Sequence, residues 1–205
     1  MPAELGSKVL ESDVVEVRQR AKTLAKYTYI VFNKPVGMLT NHDSGVAAKN
    51  TRDIMSSLPK DLQALKLFPV GRLDKDSHGL IILTNDGRVT DRLLNPMHEH
   101  SKVYEVTVKD TLRNNFKEKI EAGIDIEGYM TKPAKVKILS EKKFLIEITE
   151  GKTHQIRRMV AALWNEVVDL KRISVMNISL GKVAPGSYRK VEGKELEEFL
   201  KGLGL

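Results

Sequence analysis

Leu80-Ile81-Ile82-Leu83-Thr84 is a strand-sized apolar run, and what flanks it limits the folds open to this chain. Before it lies a charged segment bracketed by glycines, Gly71-Arg72-Leu73-Asp74-Lys75-Asp76-Ser77-His78-Gly79; after it comes the turn signal Asn85-Asp86-Gly87. A second run, Tyr29-Ile30-Val31-Phe32, reads as a buried strand ended by Asn33-Lys34-Pro35-Val36-Gly37, where Pro and Gly force a loop. No stretch reaches the roughly 18 uninterrupted apolar residues of a membrane span. The chain of 205 residues has no cysteine, which excludes disulfide scaffolds, thiolate chemistry and Cys-type zinc sites.

The other elements follow from periodicity. Residues 40–50 form a polar, Gly-containing loop. Ile54, Leu58 and Leu62 suggest a short helix interrupted at Pro59, and Val89, Leu93 and Leu94 a brief one stopping before Pro96. Over 102–109 the pattern alternates, with Tyr104, Val106 and Val108 on one strand face and Val103, Glu105 and Thr107 on the other. A helix is expected over 111–122, with Phe116 and Ile120 inward and Gly123 as its stop. Strands follow over 134–139 and 144–149. A helix after Thr153 carries the stripe Ile156, Met159, Val160, Leu163 and Trp164. Short strands over 173–180 and a helix over 195–200 complete the chain. Strands outnumber helices without strict alternation, so the class is α+β. Residues 1–26 are too few to bury a core and read as an N-terminal arm or the remnant of a preceding module, with the domain proper over 27–205.

Lys and Arg number 34 against 27 Asp and Glu, a net charge of +7. Such a balance suits nucleic acid, because binding phosphates releases counterions, and it also suits a protein basic only for solubility.

The segment 71–79 is the most unusual in the chain. A solvated hairpin loop has this composition, but its glycines also permit close approach by a ligand or another backbone, and a carboxylate there can act as a nucleophile beside a cation. Arg157 is such a cation: on a wheel of about 100° per residue it lies at the Trp164 edge of the stripe, with Arg158 on the opposite side. Its bland alternative is to snorkel beside Trp164. Tyr104 is either a core tyrosine or a ring for stacking on an extruded base. Lys152-Thr153-His154-Gln155, at a helix start, could hold phosphate through backbone N–H groups, or Thr153 could simply cap the helix. His98 and His100 lack a third ligand, so no metal is expected.

Taken in order, several segments resemble the RsuA/RluB/RluE/RluF family of ribosomal RNA pseudouridine synthases. They are Asn33-Lys34-Pro35-Val36-Gly37, Gly71-Arg72-Leu73-Asp74 with Ser77 and Gly79-Leu80, Thr84-Asn85-Asp86-Gly87, Lys102-Val103-Tyr104-Glu105-Val106, and 150–159. Leu170-Lys171-Arg172-Ile173 and Leu180-Gly181 also look familial. The resemblance implies a central mixed, mostly antiparallel sheet with flanking helices, in two subdomains with the site in the cleft between them. It implies conversion of uridine to pseudouridine in RNA without cofactor or metal. Ribosomal RNA is the expected substrate, with transfer RNA open, and the chain is expected in the cytoplasm, off the membrane, as a monomer. By motif position Asp74 is the catalytic carboxylate, Tyr104 packs on the target base, and Arg157 is the ion-pair partner of Asp74. Arg72 and Lys102 are RNA or loop contacts; Lys152, His154, Gln155 and Arg158 complete the substrate- or RNA-binding set. Many members carry a small RNA-binding module in front, which residues 1–26 are too short to hold. A non-catalytic RNA-binding protein on the same scaffold is the alternative.

Overall fold

The computed structural model describes residues 27–40, 53–95 and 97–205. The arm of 1–26 and the polar loop 40–50, apart from Thr40, lie outside the described residues. Both apolar runs are strands: β1 spans Tyr29–Lys34 and β3 spans His78–Thr84, and they pair antiparallel from Tyr29 opposite Thr84 to Lys34 opposite Gly79. Each is buried on both faces. Ile30, Phe32, Ile81 and Leu83 meet the short helices α1 (Ile54–Ser57) and α2 (Lys60–Ala64), which break at Pro59 as expected. Tyr29, Val31, Leu80 and Ile82 pack on the other side against α3 (Gly87–Leu94) and the final helix α6 (Gly193–Gly202). The expected turn at 85–87 serves as the start of α3. Its buried Asp86 accepts from the Arg88 amide and guanidinium and from the Tyr29 hydroxyl, 2.7 Å away, so that motif fixes a helix end to β1. The Arg88 hydrogen bonds hold the Asp86 carboxyl below its usual range.

The second half of the sheet alternates as the sequence predicts. β4 (Lys102–Val108) pairs with β6 (Lys143–Ile148), and β6 with β5 (Lys135–Ser140). Tyr104, Val106 and Val108 face a core with Phe116, Phe144, Ile156 and Val160. Two expectations need correction. The helix over 111–122 is cut to α4, Phe116–Glu121, because the Leu112 amide donates to the Glu141 carbonyl of the β5–β6 hairpin and holds the preceding residues as turns. The short strands over 173–180 are instead β7, Val167–Val175, and β8, Ile178–Ser179; pairing with β4 extends β7 back through residues with no strong strand pattern. β2 (Phe68–Val70) and β9 (Tyr188–Lys190) complete a sheet ordered β5-β6-β4-β7-β3-β1-β9, with β2 on β3 and β8 on β7. The fold is α+β, and among the named strands β3–β7 is the one parallel pair.

That pair is the seam between the halves, and it is two residues long: His78 opposite Lys171 and Gly79 opposite Arg172. A Cβ on Gly79 would lie 2.3 Å from the Arg172 carbonyl oxygen, and its φ is +104°, so both sterics and backbone demand glycine. Beyond the seam the same edge of β3 passes to β2.

Candidate functional site

The loop 71–77 leaves β2 and enters β3 at the seam, and its backbone is held to an unusual degree. Five consecutive carbonyls each find a donor. Arg72 O accepts from Arg172 Nη1 at 3.3 Å, and Leu73 O from Thr40 Oγ1 at 2.8 Å. Asp74 O accepts from the Ser77 amide at 3.1 Å, and Lys75 O from the Gly37 amide at 2.8 Å and Lys34 Nζ at 3.3 Å. Asp76 O accepts from Arg157 Nη2 at 3.2 Å. Apart from the Ser77 amide, which closes a turn within the loop, these donors come from β1, the loop after it, β7 and α5 (Gln155–Ala162), so both halves of the molecule grip one loop. Leu73 adds an apolar plug into the core that holds Tyr104 and Ile156. At about 1 kcal/mol net for each hydrogen bond, the network favours one loop conformation over the alternatives a Gly-bracketed loop could sample.

The clamp leaves the Asp74 carboxylate as the half-exposed group of the loop, its side chain 42% accessible. His154 faces it, with Nε2 3.6 Å from Asp74 Oδ1. His154 precedes α5 in a left-handed conformation, φ 51°, and makes no cap bond. Of the two readings for this segment, the Thr153 cap is not formed, because His154 holds the cap position; Gln155 turns back instead, its Oε1 accepting from the Lys152 amide at 2.9 Å. Glu150 anchors this turn, receiving Gln155 Nε2 at 2.6 Å and the Tyr129 hydroxyl.

The direct ion pair between Asp74 and Arg157 is not present. The Arg157 guanidinium is occupied by the carbonyls of Val167 and Asp76, both at 3.2 Å, so it grips the loop two residues from Asp74 rather than the carboxylate. Nor does it snorkel beside Trp164, which leaves the helix stripe altogether and is 81% exposed. Tyr104 is buried in the core below the loop and pairs across β4–β7 with Arg172. Arg72 and Lys152 are exposed, with Lys152 Nζ 4.4 Å over the Tyr129 ring. Lys102 is half-buried and donates to His100 O; burial and Arg172 lower its pKa. Gln155 is buried, and Arg158 is committed to Ile126 O at 2.6 Å and Glu127 at 2.7 Å, so neither faces Asp74.

Lys34, Thr40 and Arg172 carry the clamp, and the sequence assigned them no role. Lys34 is the most unusual: fully buried, its ammonium spans the carbonyls of Pro35, Met38 and Lys75. Burial pushes it down to about 8, against the opposing pull of Asp74 and Asp76. A lysine closing a strand whose first four residues are apolar is the signal that could have marked it. Arg172 is also buried, and its Nε satisfies Leu80 O at 2.7 Å, where β3 passes from β7 to β2.

The model of the RNA pseudouridylate synthase family matches residues 28–162. The chain belongs to that family. It is 36% identical to an uncharacterized RNA pseudouridine synthase of Aquifex aeolicus over 98% of this chain and 81% of that one. It is 34% identical to ribosomal small subunit pseudouridine synthase A of Vibrio cholerae over 95% and 83%. A crystal structure of a pseudouridylate synthase superimposes with a TM-score of 0.78 and 34% identity, covering 85% of this chain and 74% of that one. RNA pseudouridine synthases are isomerases, and this chain is one. Among the described residues no helix is long and apolar enough to cross a membrane.

Proposed function

We propose that residues 27–205 form a catalytic domain in which Asp74 acts on a uridine extruded from ribosomal RNA. The reaction breaks the bond from C1′ of ribose to N1 of uracil and makes one from C1′ to C5; a proton leaves C5 and N1 gains one. Substrate and product are isomers, so the balance calls for no oxidant, cofactor or metal. The uracil must be released, turned and rejoined without escaping, which requires a tight pocket and a rigidly placed carboxylate. The observation that carries the reading is the five-carbonyl clamp, which fixes the backbone around Asp74 and leaves its carboxylate accessible. Tyr104 packs against the base. Arg157 acts as a positioning residue through Asp76 O. Arg72, Lys102, Lys152 and His154 contact the RNA. The protein works in the cytoplasm as a monomer.

Pseudouridine mapping by chemical adduct and primer-extension stop, on bulk RNA from cells lacking the gene, tests this reading. Wild type should yield a new stop, and Asp74→Asn should lower turnover by at least about 10³-fold while retaining RNA binding. Equal turnover by the variant would remove Asp74 from the chemistry. RNA binding without a stop, on free RNA and on assembling ribosomal particles alike, would mark a binding protein on this scaffold.

A further inference from the structure

Trp164 is the single tryptophan of the chain, and nothing in the folding of its segment asks for one. It ends α5 at the opposite pole from His154. The backbone at 164 is left-handed, φ 60°, and the amides of Trp164 and Asn165 return to the carbonyls of Ala161 and Val160 at 2.9 and 3.2 Å. This is the helix-ending turn whose left-handed position normally falls to glycine, because a Cβ is strained there. Packing does not compensate, since the side chain is 81% exposed.

Trp164 instead lines a cavity of about 260 Å³, together with Phe116, Arg113, Lys119 and Asn115. Among the described residues neither the Arg113 guanidinium nor the Lys119 ammonium has a hydrogen bond or ion pair, and the Asn115 side chain makes no cap bond. The carboxylate at the rim, Asp110, stands near Lys109, which also pairs with Glu166 at 3.1 Å. An open aromatic face, an uncommitted amide and two unpaired cations around a slot large enough for one base match the chemistry of an unstacked nucleotide. The base lies on the ring, the amide meets its edge, and the cations meet phosphate. The eight residues of α5 span roughly 12 Å, placing this slot a few nucleotides from a uridine held at Asp74.

We propose that Trp164, Arg113, Lys119 and Asn115 form a stacking subsite for an unpaired nucleotide of the substrate RNA a few positions from the modified uridine, an inference that rests on the RNA-modifying role proposed for the Asp74 site.

Because Trp164 is the sole tryptophan, its fluorescence reports the subsite directly. A short unstructured RNA oligonucleotide is titrated into the full chain, with filter retention followed in parallel. The emission is quenched along the same saturation curve as retention, and Asp74→Asn shows the same quench, so a failed activity assay and a failed subsite are told apart. Trp164→Gly removes the ring and the backbone strain together; it keeps or raises the melting temperature while weakening retention by about fivefold or more. Arg113→Gln and Lys119→Gln each lower the salt dependence of binding by about one ion. Retention with unchanged emission, wild-type retention by Trp164→Gly, or no retention of RNA at all would each overturn the subsite. Emission that shifts with protein concentration without RNA would assign the cavity to a second copy of the chain and overturn it too.

Discussion

β3 and β4 are both seven residues long and belong to one sheet, yet they are buried in different ways. In β3 every residue from Gly79 to Thr84 is buried, with Leu80 and Ile82 in one core and Ile81 and Leu83 in another. In β4 burial alternates: Tyr104, Val106 and Val108 are inside, while Glu105 on the other face pairs with Lys143 at 2.9 Å. This contrast explains why the site lies where it does. A strand covered on both faces is a fixed platform, and the Asp74 loop is the entrance to it. A strand covered on one face supplies a ring, Tyr104, from a half that touches the platform through the two-residue seam and the clamp.

Ile81→Ala offers the strongest challenge to that comparison. Removing a fully buried side chain between β3 and the short helices should cost about 3–4 kcal/mol in urea denaturation. A loss below about 1 kcal/mol would mean that this face of β3 is not a packed core.

Lys34 tests the platform's polar edge through pH. The unfolded lysine keeps its proton up to about 10.5, whereas the folded one releases it at about 8. Between those values the unfolded chain binds more protons, so Lys34 makes stability rise with pH across that window, by at most about 3 kcal/mol. Lys34→Met should abolish that rise, and it should lower turnover at neutral pH because the carbonyls of Pro35 and Met38 lose their donor. A variant with the same pH profile as wild type would place the titration elsewhere.

The smallest effect belongs to the open face of β4. Lys143→Ala breaks the pair with Glu105 where both side chains reach water, and thermal or urea denaturation should move by no more than about 0.5 kcal/mol. A larger loss would show that this face is covered in solution and that the contrast with β3 is weaker than it looks.

Much of the fold was legible because it is local. The runs at 29–32 and 80–84, the alternation at 102–108 and the broken helix pair at Pro59 all follow from neighbours in sequence. The errors share one cause. Residues 111–115 have helical spacing, but a carbonyl of the β5–β6 hairpin takes the Leu112 amide. The first half of β7 is a strand because β4 lies beside it, and Trp164 leaves its stripe because α5 has already ended.

The site divides along the same line. Residue order alone puts a carboxylate on a charged loop between glycines, next to a strand too apolar to be exposed, and puts a tyrosine on one face with valines. Which groups hold that loop depends on long-range packing. A backbone carbonyl is the same at every residue, so nothing in the chain marks Arg72 O for Arg172, 100 positions away, or Leu73 O for Thr40, 33 positions away. Those partners meet because the registers of β1 and β7 against β3 bring them together. The same registers leave Arg157 on a carbonyl rather than on Asp74.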